Sequence, residues 1–429
     1  MDTEHTYRQT AVGGASAEPV VMGPDFKADA PRRFARMRAE GPVHPAQFFP
    51  GITGWIVVDH EVGRAALTHP ALLKNPEPAA AMLEAAGFLG HRSGTGLGGN
   101  MLESDPPEHT RLRRLVSAAF SPKRTAALEP RITRIAHGLI DALPPAGRTD
   151  LVESFAAPLP VAVIAELLGI PEADRVDFRR WTTLAFQVNH PEYATAVARL
   201  HGFLRELVEE KRRAPGDDLL SVLVAARDED DGRLSEDELV GTAALLVIAG
   251  HETTVNLLGN AVLALLRHPD QLGLLRSDPG LLPGAIEEFL RYDPSVERTT
   301  NRYAAQDLEL GGVRIPRGSV VAVALSSASR SLPQEDGGDP DTLDVTRRSA
   351  RHLAFGHGIH HCLGAPLARL EARVALHTLL TRVPDLELAV PAEALEWFPV
   401  GMVRGVLSLP VRYRTAERIT EKTAERTTS

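Results

Sequence analysis

A helix-forming tract in the middle of the chain constrains the fold more than any other feature of the sequence. Ser235, with Glu238 three residues later, forms a capping box that predicts the first turn of a helix. An apolar run follows, and His268-Pro269 provides a plausible end. The tract holds about 30 residues, or roughly 45 Å of helix at the standard rise. A helix of that length is long enough to cross a whole domain.

Polar side chains interrupt the same tract and argue against a membrane span. His251, Glu252 and Asn256 lie within it, and burying such groups in lipid is costly. The N-terminal residues "MDTEHTYRQTAVGGASAEPVVM" lack the basic flank and apolar core of a signal peptide. The chain has a single cysteine, which excludes an intramolecular disulfide and fits a reducing compartment. We therefore expect a cytoplasmic protein without a membrane span.

The remaining patterns predict a fold that is mainly α with a small β region. Helical periodicity recurs in stretches such as "PVAVIAELLG", while "GWIVVD" and "DLELGGVRIPRGSVVAVAL" are typical of strands. Gly311-Gly312 predicts a hairpin turn. We expect one domain over residues 21–414, with flexible segments at 1–20 and 415–429. The glycine-rich loop at 90–100 is a candidate lid or a plain solvent loop.

The charge of the chain limits its partners. Its formal net charge is -9, whereas proteins that bind phosphate backbones normally present excess positive charge. Nucleic acid is therefore not an expected partner. A hydrophobic content of 43% and a charged content of 24% indicate an ordinary globular protein.

The lone cysteine, Cys362, lies between a glycine-rich turn and a predicted helix. Free backbone N–H groups at a helix N-terminus favour the thiolate over the thiol. The residues leave four interpretations open. Cys362 could be a catalytic nucleophile with a histidine base, a zinc ligand with His357, His360 and His361, the axial ligand of a haem, or a small buried hydrophobic residue.

The segment "FGHGIHHCLG" (355–364) resembles the cysteine-ligand loop of the cytochrome P450 superfamily of haem-thiolate monooxygenases. Four other segments are similar to family regions and occur in the family's order: "ESDPPEHTRLRRLVSAAF", "AGHETT", "AIEEFLR" and "NRYAAQDLELGGVRIPRG". The resemblance covers nearly the whole chain. It implies a single triangular-prism haem-thiolate monooxygenase fold with a long central helix crossing the haem.

The resemblance also implies a cofactor site for haem b, iron protoporphyrin IX. Cys362 would be the axial iron ligand, whose electron donation favours cleavage of the O–O bond. His109 and Arg113 are four residues apart and share one helix face. The implied contacts to the haem propionates are His109, Arg113, Arg302, His360 and His352.

Within "AGHETT", the resemblance assigns Thr253 to the hydrogen-bond network around bound oxygen and Glu252 to proton exchange with solvent. A threonine hydroxyl in a helix can bond back to a carbonyl one turn earlier, which would open the helix and make room for dioxygen. Behind the haem, the family's buried structural ion-pair set corresponds to Glu288, Arg291 and Arg347. The family commonly shows Asn-Arg-Asp where this chain has Ser329-Arg330-Ser331, so the family's local packing is not carried over to this segment.

Residues carried over as substrate contacts suggest a mostly apolar pocket for a sizeable lipophilic molecule, although each also fits plain core packing. They are Leu245, Ile248, Ala249, Val296, Thr299, Met402 and Val403.

The expected function is a monooxygenase that inserts one atom of O2 into a C–H or C=C bond, by hydroxylation or epoxidation. The first expected substrate is a polyketide or macrolide of specialised-metabolite (antibiotic) biosynthesis. Electrons would come from NAD(P)H through ferredoxin reductase and ferredoxin. The expected oligomeric state is a monomer. The alternatives are a haem-binding sensor or recruitment protein without turnover, a cysteine hydrolase, and an oxidase of a terpenoid, steroid or peptide. Candidate ferredoxin contacts are Arg111, Arg114, Lys123, Arg124, Arg369 and Arg373.

Overall fold

The computed structural model describes residues 18–87, 99–120, 122–185, 191–229, 234–332, 337–348, 350–399 and 401–416. Most of the candidate lid and most of the two terminal segments lie outside these residues. Within the described part of the chain, the fold is mainly helical with three small sheets, as the sequence predicted.

Helices account for most of the described residues. They are α1 Pro24–Ala28, α2 Ala30–Glu40, α3 His60–Thr68, α4 Ala80–Ala85, α5 Glu108–Ala119, α6 Pro122–Ala127, α7 Glu129–Asp141, α8 Pro158–Leu168, α9 Arg175–Leu184, α10 Tyr193–Arg213, α11 Leu219–Glu229, α12 Glu236–Arg267, α13 Pro269–Ser277, α14 Leu282–Tyr292, α15 Leu325–Arg330 and α16 Ala365–Arg382.

The strands are β1 Val20–Val21, β2 Val43–Phe49, β3 Ile52–Val57, β4 Leu72–Leu73, β5 Ala146–Asp150, β6 Arg302–Ala304, β7 Leu308–Leu310, β8 Val313–Ile315, β9 Val320–Val323, β10 Glu387–Leu388 and β11 Pro410–Arg414. The largest sheet has the order β1-β2-β3-β9-β6-β4. β10, β11 and β5 form the second sheet, and β7 pairs with β8. The predicted turn between β7 and β8 is confirmed, since Gly311 and Gly312 have φ values of 56° and 81°.

Helix α12 is the predicted central helix. It spans 32 residues, and the capping box at Ser235 and Glu238 is present. At the standard rise it is about 48 Å long. It packs against α8, α10, α14 and α16. None of the described helices combines the length and the apolar character needed to cross a membrane.

Two hydrophobic clusters cover different stretches of α12, and a short segment of the helix between them belongs to neither. Residues 239–247 pack with side chains of α5, α8, α10 and α11. The stretch from Val255 to Leu265 packs with α7, α14 and α16. The segment between these stretches holds the "AGHETT" sequence, so the core itself positions this motif at the junction.

The departure at Ser329 and Ser331 does not disturb the local packing. The Ser329 hydroxyl donates to Leu325 O at 2.6 Å and accepts from Leu353 N at 3.0 Å. The Ser331 hydroxyl accepts from His60 N at 2.8 Å. These serines therefore connect α15 to α3 and to the segment before the cysteine loop.

Candidate active site

The cysteine loop is built on two glycines. Gly356 and Gly358 have φ values of 71° and 75°, which side chains with a Cβ rarely adopt. The Cys362 N–H donates to Phe355 O at 2.8 Å and closes the loop. Helix α16 then begins three residues after the cysteine, as the sequence predicted.

The Cys362 side chain keeps accessible surface, although its sulfur lies deep among protein atoms. Burial raises the pKa of the thiol, and this outweighs the backbone N–H groups of Gly364 and Ala365 and the charges of Arg113 and Arg369, which lower it. The N–H groups at the start of α16 thus favour the thiolate as predicted, but burial acts against them. A cation bound at the sulfur would reverse the balance.

Two of the four interpretations of Cys362 lose support. In the described residues, no three His, Cys, Asp or Glu side chains are arranged to hold a metal ion, so a zinc site with His357, His360 and His361 is not formed. No described histidine hydrogen-bonds to the thiol, as a nucleophile with a histidine base requires. The ring of His360 instead lies 4.2 Å from that of His109.

Basic side chains from four separate segments gather near the cysteine loop. His109 and Arg113 come from α5, Arg302 from β6, His360 from the loop itself and Lys74 from the end of β4. Burial, and then the charges of the other four, lower the pKa of His360. All members except Lys74 were predicted, and the fold brings them together.

This cluster contains polar atoms without partners. Both ring nitrogens of His109, Nε of Arg302 and Nε2 of His360 are buried and have no hydrogen-bond partner among the described residues. A buried unsatisfied donor costs about 1–3 kcal/mol. Carboxylates are the partners that concentrated cations prefer. The residues present therefore fit the two propionates of the haem that the resemblance implies.

Lys74 is the member of the cluster that the sequence did not reveal. Its Nζ donates to Thr300 Oγ1 and to Asn301 O, the latter at 3.2 Å. Burial, and next the charge of Arg302, hold the pKa of Lys74 well below its usual range. Antiparallel pairing of β4 with β6 brings these distant segments together. The only signal in the sequence was a lysine after a short apolar pair.

His352 makes its described contacts outside the cationic cluster, and its propionate contact stays a prediction. Its Nε2 is 3.1 Å from Glu287 Oε2, and its ring lies 5.9 Å from that of Phe355. Arg369 donates two hydrogen bonds of 2.7 Å to Glu287 and stacks over Phe355 at 4.6 Å. Burial would raise the pKa of Glu287, but the bonds from Arg369 and His352 lower it to about 2.

The middle of α12 is accessible, although most of the helix is buried. Ala249 is exposed, and Ile248, Gly250 and Thr253 are half-buried. The predicted back-bonding is confirmed, because Thr253 Oγ1 donates to Ala249 O at 2.6 Å and Thr254 Oγ1 to Gly250 O at 3.2 Å. The helix nevertheless continues unbroken, so the predicted opening is wrong. The small side chain of Ala249, the exposed residue of this stretch, leaves the space instead.

Glu252 is buried beside Thr253 and is held by Asn256. Asn256 Nδ2 donates to Glu252 Oε1 at 2.9 Å and to Glu252 O at 2.7 Å. Burial raises the pKa of the Glu252 carboxyl, and the Asn256 amide opposes that rise. A Cβ on Gly405 would lie 1.6 Å from Asn256 Oδ1, so only glycine fits there. Asn256 was not among the predicted residues, although its i,i+4 spacing from Glu252 was a usable signal.

Glu288, Arg291 and Arg347 form one buried ion-pair set. Arg291 Nε lies 2.6 Å from Glu288 Oε2, and Arg347 Nε lies 3.2 Å from the same oxygen. Arg291 also donates to Thr342 O at 3.0 Å. This set joins α14 to the segment before the cysteine loop.

Two of the segments expected to contact substrate pair with each other. Val296 and Val403 form an antiparallel bridge, and Glu297 N donates to Met402 O at 2.8 Å. Val296, Met402 and Val403 keep accessible surface. We call residues 402–404 the C-terminal turn.

Two expected substrate residues have structural roles. Leu245 is 5% exposed and lies in the hydrophobic cluster around the first half of α12. Thr299 Oγ1 accepts from Val323 N at 3.1 Å and so takes part in backbone pairing with β9.

Comparison with known proteins identifies the family and the fold. The family model for Cytochrome P450 matches residues 161–384. The chain is 47% identical to Cytochrome P450 monooxygenase PikC of Streptomyces venezuelae, over 97% of this chain and 100% of that protein. It is 43% identical to 6-deoxyerythronolide B hydroxylase of Saccharopolyspora erythraea, over 92% of this chain and 98% of the relative.

A solved structure agrees with the same assignment. The tirandamycin C-bound P450 monooxygenase TamI superimposes with a TM-score of 0.84 at 43% identity, and covers 92% of this chain and 100% of its own. The cysteine loop, the buried cations near it and the central helix described above are thus set in a known architecture. The chain belongs to the cytochrome P450 family of haem-thiolate monooxygenases.

Proposed function

We propose that this enzyme hydroxylates a C–H bond or epoxidises a C=C bond of a polyketide or macrolide in specialised-metabolite biosynthesis. The observation that carries this proposal is the accessible stretch of α12, where Thr253 stands beside a buried acid at the junction of two hydrophobic clusters. The names of the relatives, one of them a 6-deoxyerythronolide B hydroxylase, support the substrate class.

The proposed cofactor is haem b, whose iron Cys362 Sγ would hold. His109, Arg302 and His360 would bind its propionates, since their buried nitrogens need anionic partners, and Arg113, on the same helix as His109, would join them. When bound, a thiolate-ligated haem supplies the iron at which dioxygen is activated.

Glu252 would hold protons for the reaction, and Thr253 would pass them on. Because burial raises the pKa of Glu252, its carboxyl holds a proton more readily than an exposed glutamate does. Asn256 fixes its orientation at 2.9 Å. The Thr253 hydroxyl, which bonds to Ala249 O, would exchange that bond for one to an oxygen atom in the adjacent space and pass it a proton.

The pocket would be bordered by Ile248 and Ala249 on one side and by Val296, Met402 and Val403 on another. All five keep accessible surface, and all are apolar, which suits a lipophilic substrate.

Electrons would arrive from NAD(P)H through a reductase and a ferredoxin. Of the basic residues considered as docking contacts, Arg111, Arg369 and Arg373 are engaged with Glu238, Glu287 and Glu129. Arg114 and Lys123 are exposed, and they are the better candidates for contacting an acidic donor.

Spectra and turnover test the proposal. The purified protein, reduced under carbon monoxide, is expected to show the far red-shifted Soret band of thiolate ligation, and Cys362→Ser is expected to lose it. 6-Deoxyerythronolide B and tirandamycin C are suitable first probes for a shift of the iron spin state. With ferredoxin, reductase and NADPH, labelled dioxygen should then leave one labelled atom in the product. Ligand-induced spin shifts without product from any donor would instead indicate a sensor.

A further inference from the structure

The short N-terminal helix α1 places a lysine inside the protein, against the C-terminal turn. Lys27 is 2% exposed, and its Nζ lies 3.0 Å from Glu297 Oε1. The same ammonium donates to Val403 O at 2.8 Å. One buried cation thus joins the N-terminal helix to both segments that border the proposed pocket.

The C-terminal turn also contacts helix α1 in return, through the side chain of Arg404. Arg404 Nη1 donates to Lys27 O at 2.8 Å, and Arg404 Nε lies 2.6 Å from Asp293 Oδ1. Arg404 N also donates to Ser295 O at 2.8 Å. The turn is therefore fixed at the two residues that follow Met402, through contacts made by Val403 and Arg404.

A lysine is a costly choice for plain packing at this position. Long charged side chains are almost never fully buried unless they are paired, and an apolar residue could fill the same volume without desolvating a charge. What an apolar residue cannot do is donate to the Val403 carbonyl. The cost is explained if the position of that carbonyl, and of the side chains next to it, matters to the enzyme.

We propose that Lys27 is a specificity-positioning residue, which sets how far Met402 and Val403 reach into the substrate pocket by holding the Val403 carbonyl. This inference rests on the proposed function, because contact between those two side chains and substrate is itself proposed. The residue does not touch the reacting atoms and acts only through the turn.

Two azoles of different size test this inference without turnover. Imidazole reports access to the iron alone, whereas clotrimazole, with its triphenylmethyl group, also reports the shape of the pocket. In the haem-loaded Lys27→Met variant we expect the dissociation constant of clotrimazole to change by about tenfold, since a charged hydrogen bond is lost. That of imidazole should stay within about twofold. Lys27→Arg, which keeps charge and donor, should restore most of the clotrimazole affinity.

The chain offers a matched control in Lys211. Its Nζ lies 2.8 Å from Asp218 Oδ2 and donates to Gly169 O at 2.8 Å, so it pairs a carboxylate and a carbonyl as Lys27 does, but outside the pocket segments. Lys211→Met should lower thermal stability and leave both azole constants unchanged. If Lys27→Met loses stability while clotrimazole binds as in the unmodified enzyme, the inference is overturned.

If Lys27→Met fails to retain haem, Lys27→Gln replaces it in the test. Glutamine removes the charge, and because its side chain is one atom shorter than that of lysine, its amide cannot hold the Val403 carbonyl in the same position. We expect the clotrimazole constant to change in the same direction while imidazole binding is kept. An unchanged clotrimazole constant in that variant overturns the inference as well. Because azole binding needs no electron donor, either result is separate from the success or failure of the turnover experiment.

Discussion

At the scale of single residues, two neighbouring threonines offer a direct test of proton delivery. Thr253 is accessible and Thr254 is buried, yet both hydroxyls bond to a carbonyl one turn earlier. We expect Thr253→Ala to keep consuming NADPH while product falls and hydrogen peroxide rises, because the hydroxyl that steers protons is lost. General acid–base groups typically contribute on the order of 100-fold or more, so the loss of product should be large. The measurement is product formed per NADPH consumed.

Thr254→Ala is the control for this prediction, since it removes the same atoms one position away. Its coupling ratio should match that of the unmodified enzyme. Equal coupling in Thr253→Ala and Thr254→Ala would contradict the assigned role of Thr253.

Glu371 provides a prediction about pH and stability. It is 1% exposed, and burial raises its pKa well above 4.5. The folded protein thus binds this proton more tightly than the unfolded chain, so the stabilisation is complete below about pH 4.5 and is lost as the pH rises through the raised folded pKa. Glu371→Gln removes the effect and keeps the shape of the side chain.

Urea unfolding of both proteins between about pH 5 and about pH 8 checks this prediction. The stability difference in favour of Glu371→Gln should grow with pH, by at most about 1.4 kcal/mol per unit. A difference that stays constant over this range would mean that Glu371 titrates normally.

Single residues also show where sequence reasoning ends. His109, Arg113, Arg302 and His360 were predicted together because each matched a motif, and the fold brings them together. Lys74 matched no motif and joins them only through strand pairing. His352 was predicted with them, and the sequence did not show that Glu287 lies within its reach.

At the scale of elements, the ion-pair set on α14 should be far more costly to break than a surface pair. Arg347→Met leaves the Glu288 carboxylate buried with one cation fewer, and we expect a loss of about 3–5 kcal/mol in unfolding free energy together with poor haem retention. Arg314, on the exposed hairpin, pairs with Asp307 at 2.7 Å and serves as control. Arg314→Ala should cost at most about 1 kcal/mol. Similar losses of unfolding free energy in both variants would show that burial of the ion-pair set does not determine its contribution to stability.

Elements with local signals were predictable, and those that depend on distant pairing were not. Both ends of α12 follow from a capping box and a proline, which act within one turn. The parallel pairing of β3 with β9, or the bridge between Val296 and Val403, joins residues far apart in sequence. No periodicity encodes such pairings. Only Val296 and Val403 were expected near each other, as substrate contacts carried over from the family resemblance.

At the scale of the whole molecule, we propose that residues 18–416 suffice for the haem-binding domain. Val20 pairs with Ala46 on β2, and Ala416 N donates to Arg382 O at 2.8 Å, so described contacts reach close to both ends of this range. A chain of residues 18–416 should match the full protein in its carbon-monoxide spectrum and thermal midpoint. A chain that starts at residue 22 should melt lower, because β1 is lost. If the chain of residues 18–416 lost its haem, the terminal segments would have to contribute to the domain.

The contact between Gly405 and Asn256 connects the C-terminal turn, which borders the proposed pocket, with the side chain that orients the buried acid Glu252. The same amide that orients the Glu252 carboxyl is packed against backbone next to the C-terminal turn. A bulky ligand that pushes this backbone aside would also shift the acid, so ligand shape and the timing of protonation become coupled. Exchanging the C-terminal turn with that of a relative should accordingly transfer both the ligand-shape preference and the timing of protonation. A graft without glycine at position 405 should impair catalysis even where the ligand still fits.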